Sequence, residues 1–302
     1  MIRQIIIGIL RFFTFHIQLK GVPKFILFIK GALFRKDEAY KAYNNIKITI
    51  DPTVGFHCLN VLNYGGYEAV KLFEKFLKKG DVFIDIGANL GYMSLNAEKL
   101  VGAGGKVISF EPDPSILPVL KRNKIINHSD ILICEKAVGD REGTEVFNIA
   151  TESGLSRLDN KQHNQFGLEL VEQITIEMTT LDDFLQEVLP ERPVKFIKID
   201  VEGHELRILK GAQSSLGNYK PALFLEINHE ALKQNEVTYL DIFDFLKRYS
   251  YQFYFVDSHG ADWLRLNRKP TCILIGDDHK RYADIPFDLL CLSSEMASQL
   301  DS

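Results

Sequence analysis

Two patterns of apolar and polar residues alternate from about residue 67 onward. Short apolar runs, as expected of buried strands, are separated by segments in which apolar residues recur at helical spacing. The runs predict about seven core strands: VFIDI (82–86), KVISF (106–110), ILICE (131–135), VKFIKI (194–199), ALFLEI (222–227), YQFYFV (251–256) and TCILIG (271–276). Helices are predicted over 67–78, 91–100, 115–127, from 204 onward and over 239–248. This order is typical of an α/β fold, a parallel sheet with helices on both faces.

Two segments depart from this alternation. EVFNIA and QITIEM predict the strands of a hairpin or sheet extension around a polar link, Thr151–Gln165, which is long for a compact domain and therefore a candidate for ligand binding. Before the core, IKITI and HCLNVL predict a small β element. We therefore expect a basic apolar helical segment at 1–40, a small β element at 41–66 and the α/β core domain at 67–302.

Charge separates the first segment from the remainder. Residues 1–36 carry seven Lys or Arg and no acid, which leaves 29 of the 36 basic residues against all 40 acidic ones. Its apolar runs are interrupted before they reach the roughly 18 residues of a membrane span. On a helix, Gln4, Arg11, Thr14 and Gln18 form a polar stripe beside a broad apolar face. Such a helix either lies in a membrane interface or packs on its own domain or on a dimer partner.

Overall composition limits the partners and the compartment. A net charge of -4 and a pI near 6.1 provide no basic field, so a nucleic acid is not expected as partner. The four cysteines include no C-x-x-C pair and indicate neither zinc nor disulfides. We expect a cytoplasmic protein, with peripheral contact at the inner membrane face through residues 1–36 as the alternative to internal packing. The oligomeric state is not indicated.

The segment VFIDIGANLGYMSL (82–95) predicts a ligand-binding turn between a strand and a helix. The turn lies at the carboxyl edge of the sheet, where open α/β folds bind their ligands. Gly87 and Gly91 lack the Cβ atoms that would block a ligand lying on the backbone, and Asn89 tolerates a left-handed conformation. This arrangement indicates a nucleoside site.

The next strand adds an acid that favours one cofactor. Glu111 ends KVISFE, where a carboxylate can accept hydrogen bonds from both hydroxyls of a ribose. A dinucleotide fold requires G-x-G-x-x-G, which the chain lacks. Asp85, two residues before the first glycine, would repel a pyrophosphate but suits the ammonium group of a methionine moiety. The residues therefore favour S-adenosylmethionine over NAD.

Five motifs in order resemble one family. FIDIGANLGYMSL, FEPDPSILPVLKRN, AVGDREG, TTLDDFL and FIKIDVEGHELRILKGA are similar to the FkbM-type methyltransferases, a branch of the class I S-adenosylmethionine-dependent enzymes. The resemblance covers about Tyr67 to Ile227. It implies a Rossmann-like seven-stranded sheet, which usually ends in an antiparallel hairpin, and methyl transfer to a hydroxyl, most often of a sugar in a glycan or of a secondary metabolite.

The resemblance also assigns residues to the cofactor. Asp85, Gly87, Asn89 and Gly91 match its turn, and Glu111 matches its ribose acid. It further implies that Glu68 faces the methionine end and that Ala137 and Val138 line the adenine pocket.

The cluster IDVEGHE supplies the candidate catalytic residues. It ends the fourth core strand, close to the methyl end of the cofactor, and methyl transfer to an alcohol requires removal of a proton. Asp200 is the first candidate, although an acid here can also cap the following helix. Glu202 is a second candidate base. His204 has a suitable ordinary pKa, but a histidine in a first helical turn is more often exposed than catalytic.

Alternatives remain open at this site. This segment contains four potential ligands for Mg²⁺ or Mn²⁺: Asp200, Glu202, His204 and Glu205. A further acid, Glu226, ends the fifth predicted strand at the same edge. Because consecutive residues point in different directions, we expect no metal. A noncatalytic S-adenosylmethionine-binding module is the alternative function. An NAD-dependent sugar-modifying enzyme is a more distant one.

Overall fold

The computed structural model describes residues 2–19, 22–36, 38–62, 66–150, 157–158, 170–190, 192–257, 264–266, 270–276 and 286–300. The N-terminal part contains α1 (Ile2–His16), β1 (Ile17–Leu19), α2 (Val22–Leu33), β2 (Ala39–Lys41), a short 3-10 helix (Tyr43–Asn45), β3 (Lys47–Thr49) and α3 (Gly55–Val61). The first half of the core contains α4 (Tyr67–Phe76), β4 (Val82–Ile86), α5 (Tyr92–Val101), β5 (Lys106–Phe110), α6 (Leu117–Ile126) and β6 (Leu132–Cys134).

The second half begins with an extension to the core. This extension contains β7 (Ala137–Gly139), β8 (Gly143–Ala150), β9 (Arg157–Leu158), β10 (Leu170–Thr180) and α7 (Leu181–Val188). The core resumes with β11 (Phe196–Ile199), α8 (Glu205–Lys210), α9 (Gln213–Asn218), β12 (Ala222–Ile227), α10 (His229–Gln234), α11 (Tyr239–Lys247) and β13 (Tyr251–Asp257). The last elements are β14 (Leu264–Leu266), β15 (Thr271–Leu274), β16 (Phe287–Ser293) and α12 (Ser294–Ala297).

The main sheet confirms the predicted α/β fold. Its order is β15-β13-β16-β12-β11-β4-β5-β6, and the strands from β12 to β6 are parallel. β16 runs antiparallel between β12 and β13, and β15 pairs antiparallel with β13 at the edge. All seven predicted strands lie in this sheet, and its eighth strand is FDLLCLS (287–293), which occupies the position next to β12 and which the sequence analysis did not identify as a strand. Because this run lies far from β12 in the sequence, no local pattern predicts that the two strands pair.

The hairpin predicted for 139–180 is confirmed. β8 and β10 pair antiparallel within a second sheet of order β7-β10-β8-β9. Of the polar link Thr151–Gln165, only Arg157 and Leu158 belong to the described residues, so its predicted ligand-binding role lies outside them.

The main sheet has a hydrophobic core on each face. Phe73 of α4 packs on Phe83 and Phe196 of the central strands, with ring centroids 4.8 and 5.0 Å apart. The core on this face also includes Ile7 of α1 and Ile26 of α2, so the N-terminal helices share it. The other core lies under α7 to α11.

The N-terminal expectations are correct only in part. IKITI contains β3, which pairs antiparallel with β2. HCLNVL is not a strand: it lies in α3 and Leu62 that follows, because its apolar residues Cys58, Val61 and Leu62 recur at helical spacing and are all buried. The division at residues 40 and 66 stays a prediction.

Candidate active site

A row of polar side chains crosses the centre of the buried sheet. Asp85 of β4 is the register partner of Ser109 on β5 and of Lys198 on β11, so the three residues lie side by side. Lys198 Nζ lies 3.4 Å from Asp85 Oδ1, and Ser94 Oγ donates to Asp85 Oδ2 at 2.5 Å. Ser109 Oγ in turn donates to Ser94 Oγ at 2.7 Å. Asp85 is therefore enclosed by protein, with no exposed surface.

Lys198 connects this row to the turn after β4 and to the end of its own strand. Its Nζ donates to the carbonyl oxygen of Gly87 at 2.8 Å and lies 3.2 Å from Asp200 Oδ2. Burial lowers the pKa of Lys198, but the carboxylates of Asp200 and Asp85 outweigh this effect and raise it above its ordinary value. Burial raises the pKa of Asp85, and Lys198 opposes that shift. Lys198 therefore stays charged and compensates part of the negative charge of the two acids.

The glycine turn is shaped by its protein neighbours. Gly87, Asn89 and Gly91 have φ angles of +79°, +50° and +86°. A Cβ on Gly87 would lie 1.9 Å from the backbone oxygen of Asp200. A Cβ on Gly91 would lie 2.6 Å from Leu120 Cδ1. The glycines are thus required by backbone conformation and by contact with protein, whereas the sequence analysis attributed them to a ligand lying on the backbone.

Glu111 lies directly beside this turn. Its Oε2 accepts the N–H of Asn89 at 2.7 Å and its Oε1 accepts the N–H of Asp113 at 2.9 Å. Because one lone pair on each oxygen is left, the carboxylate can accept two further hydrogen bonds. Burial raises the pKa of Glu111 to about 7, although the backbone N–H groups of Asp113 and Asn89 stabilise its anion and lower the pKa. Its charge therefore depends on pH near neutrality.

His57 of α3 holds the turn from the other side, and the sequence analysis did not identify it. The ring is fully buried. Its Nδ1 accepts the N–H of Asp51 at 3.3 Å, so its Nε2 carries the proton and donates to Asn89 Oδ1 at 3.0 Å. Burial lowers the pKa of His57 and keeps the ring neutral. No local motif marks this residue, because its partner is 32 positions away in the sequence.

Four carboxylates meet at the carboxyl edge of β11 and β12. Asp200 is partly exposed, with 34% of its side chain accessible. Glu226 is the penultimate residue of β12 and is exposed to solvent. It hydrogen-bonds to Asp200, and its register partner on β16 is Asp288. Glu202 has a φ of +54° and accepts a hydrogen bond from Asn228 Nδ2 at 3.1 Å. The negative charge of Asp200, together with those of Asp288 and Glu202, raises the pKa of Glu226 well above its ordinary value. Glu226 therefore keeps its proton to a higher pH than an ordinary glutamate does.

The two remaining polar residues of IDVEGHE are buried. His204 is only 4% exposed and is the N-cap residue of α8, so the expectation of an exposed histidine is wrong. Glu205 is 1% exposed and accepts the N–H of Gly203 at 3.0 Å. Burial raises the pKa of Glu205 to about 7. These residues stabilise the turn between β11 and α8.

The other residues assigned to the cofactor lie near the turn or under it. Glu68 is 5% exposed in the first turn of α4, whose N-terminal end packs on Tyr92 and Met93 at the start of α5. Ala137 and Val138 lie in β7, beside β10, and their side chains join two different hydrophobic clusters. A contact from this strand to adenine would therefore come from its backbone. Binding by these three residues stays a prediction.

The donor and acceptor groups present fit S-adenosylmethionine. Carboxylates cluster at the ends of β4 and β5, and the buried Oδ2 atom of Asp113 accepts no hydrogen bond from any described residue. Acceptors in this number suit the hydroxyl and ammonium donors of that cofactor and would repel a pyrophosphate. Asp85 has no exposed surface, so any contact with the ammonium group is indirect in this arrangement. Within the described ranges, no group of three or more His, Cys, Asp or Glu side chains has a geometry suited to a metal.

A mainly parallel sheet with antiparallel β16 inserted and antiparallel β15 at the edge, helices on both faces and an acid-flanked glycine turn defines a class I S-adenosylmethionine-dependent methyltransferase domain. The family model described as "Methyltransferase FkbM domain" matches residues 85–253, more than half of the chain. The chain belongs to the FkbM methyltransferase family, and its cofactor is S-adenosylmethionine.

The matching proteins are distant from this chain in sequence. The methyltransferase sdnD of Sordaria araneosa is 26% identical over 180 residues, which are 51% of this chain and 64% of the relative. The hexuronic acid methyltransferase AglP of Haloferax volcanii is 23% identical over 176 residues, 58% of this chain and 67% of the relative. The crystal structure of an FkbM methyltransferase from Methylobacillus flagellatus KT is similar with a TM-score of 0.41 and 19% identity, over 72% of this chain and 53% of that one. The chain thus spans only about two thirds of the first relatives it matches.

Proposed function

We propose that this protein is an O-methyltransferase that acts on a hydroxyl of a sugar in a glycan or a secondary metabolite. The observation that carries the proposal is the link between the cofactor turn and an accessible carboxylate. The Asp200 backbone packs on Gly87 and the Asp200 side chain shares Lys198 with Asp85. A candidate base is therefore fixed to the turn that binds the methyl donor.

When bound, the cofactor supplies a methyl group on a positively charged sulfur. Glu111 would accept hydrogen bonds from the ribose hydroxyls, and His57 and Lys198 hold the turn through Asn89 and the Gly87 carbonyl. Asp200 takes the proton of the acceptor hydroxyl. In its protonated form, which the raised pKa favours, Glu226 donates a hydrogen bond to Asp200 and fixes its orientation. Positioning of the base and proton removal are the contributions of these side chains.

The negative charge of the acid cluster at the ends of β11 and β12 favours a hydroxyl over a carboxylate as the group that is methylated. Four acidic side chains lie on neighbouring strands and turns: Asp200, Glu202, Glu226 and Asp288. An acceptor carboxylate would be repelled there and would need no base, whereas an alcohol needs one. The relative named as a hexuronic acid methyltransferase supports a sugar as the acceptor class. The repulsion argues that the reacting position on that sugar is uncharged.

The first experiment identifies the acceptor. The protein is incubated with methyl-labelled S-adenosylmethionine and extracted glycans and metabolites, and the products are analysed by mass spectrometry. We expect a labelled methyl ether. A labelled methyl ester would contradict the hydroxyl assignment, and tight cofactor binding without any labelled product would support the noncatalytic module.

The second experiment tests the base. Asp200→Asn and Glu202→Gln should keep cofactor affinity within a few-fold, whereas turnover should fall by about 10² to 10⁴ for the residue that takes the proton. Asp244→Asn is the matched control, because Asp244 lies on α11 with 74% of its side chain exposed. His204→Ala should reduce turnover less than Asp200→Asn. Full activity of both acid variants would refute the assignment.

A further inference from the structure

The two N-terminal helices expose more large apolar side chains than any other described part of the chain. One face of each helix packs inward, with Ile7 and Ile26 4% and 0% exposed. Six large apolar residues face outward, and we call them the N-terminal apolar surface: Ile5 (54% exposed), Ile6 (40%), Ile9 (51%), Phe25 (56%), Leu27 (37%) and Phe28 (87%). In the other described residues, the exposed large apolar side chains are four scattered ones, Ile125, Leu132, Leu240 and Leu274.

This surface is firmly attached to the methyltransferase domain. α1 and α2 pack against each other, and α2 packs against α3. Lys30 Nζ donates to the carbonyl oxygen of Thr53, just before α3, at 2.6 Å. α3 carries His57, which hydrogen-bonds to Asn89 in the cofactor turn. The outward apolar residues therefore lie on helices that pack on the rest of the domain, so their exposure does not result from a detached helix.

The charge around the surface identifies its partner. Residues 1–36 carry seven basic residues and no acid. Lys24, between the outward-facing residues, is exposed, and the nearby acid Glu38 pairs with Arg3. A two-fold symmetric dimer through this surface would bring two basic segments together, because the same patch then faces itself. An anionic bilayer offers both an apolar phase and the opposite charge.

We infer that the N-terminal apolar surface docks the protein peripherally on anionic membranes. The outward Ile and Phe side chains enter the boundary between headgroups and acyl chains, and the basic residues contact anionic headgroups. No helix within the described ranges is long and apolar enough to cross a bilayer. The docked protein therefore lies on one face of the membrane.

Flotation of the full-length protein with lipid vesicles tests this inference. We expect binding to phosphatidylcholine vesicles that contain about 30% phosphatidylglycerol, and weaker binding to pure phosphatidylcholine or at high salt. The double variant Phe25→Ser/Phe28→Ser should bind the anionic vesicles at least about tenfold more weakly. Lys24→Gln should weaken binding to anionic vesicles by about fivefold, with little effect on neutral ones.

Ile125→Ser is the matched control, because Ile125 is 70% exposed on α6 and lies outside the N-terminal apolar surface. It should bind vesicles as the unaltered protein does. Circular dichroism and cofactor affinity should be unchanged in all variants, which separates this test from the proposed function. Absence of vesicle binding would overturn the inference, as would equal losses in the control. If light scattering instead detects a dimer that the double variant abolishes, and vesicles do not bind, the partner is a second copy.

Discussion

Replacement of Lys198 by methionine tests the buried charge row most directly. Lys198 is 5% exposed, and its Nζ lies 3.4 Å from the fully buried Asp85 and 3.2 Å from Asp200. In Lys198→Met, Asp85 is left as an uncompensated buried anion, a change that typically costs about 3–5 kcal/mol. Because a domain is commonly stable by about 5–15 kcal/mol, this loss is a large fraction of the free energy of unfolding.

The pH dependence of this loss has a definite sign. Without Lys198, the folded pKa of Asp85 rises further, whereas its unfolded pKa stays about 3.9. The folded variant then binds more protons than the unfolded chain, so its stability falls as the pH rises from about 4 toward the folded pKa. The deficit relative to the unaltered protein should therefore be larger at pH 7 than at pH 5.

Urea denaturation followed by circular dichroism measures the effect at both pH values. Lys247→Met is the control, because it breaks a pair with Asp244 whose side chains are 60% and 74% exposed. It should cost under about 0.5 kcal/mol. Asp85→Asn combined with Lys198→Met should recover part of the stability. A cost of Lys198→Met at pH 7 no larger than that of the control would refute the reasoning.

The remaining predictions concern the cofactor turn and the acid cluster. Calorimetry should find that affinity for S-adenosylhomocysteine falls as the pH drops from 8 to 6. The reason is that the ribose hydroxyls bind ionised Glu111, whose pKa is raised to about 7. Glu111→Gln should weaken binding and remove this pH dependence. His57→Phe keeps a ring but removes the hydrogen bond to Asn89, so affinity should fall about three- to tenfold, and unchanged affinity would contradict its role. Glu226→Gln should keep turnover at pH 7 within about threefold, because the amide mimics the protonated acid, whereas Glu226→Ala should lose at least about tenfold by freeing Asp200. Chelator treatment should leave turnover unchanged, and inactivation reversed by Mg²⁺ would assign the acid cluster to a metal.

Local sequence determined the elements and the position of the site. Apolar runs of strand length marked the parallel strands, and the helical spacing between them marked the covering helices, because burial on one or both faces leaves a short-range pattern. Asp85 within VFIDI, the glycines after it and Glu111 after KVISF predicted the cofactor turn, since these features lie at strand ends on one edge of the sheet. The catalytic candidates at Asp200 followed in the same way from the end of the fourth predicted strand.

Tertiary structure decided which of these residues act together. The register of β4 against β11 set Lys198 beside Asp85, and neither strand encodes that register by itself. The insertion of β16 next to β12 placed Asp288 beside Glu226, 62 positions earlier in the sequence, which raises the pKa of that acid. His57 reached Asn89 only through the packing of α3. Short-range periodicity records whether a side chain is buried, but the identity of its neighbour depends on contacts between distant segments, and these exist only in the folded chain.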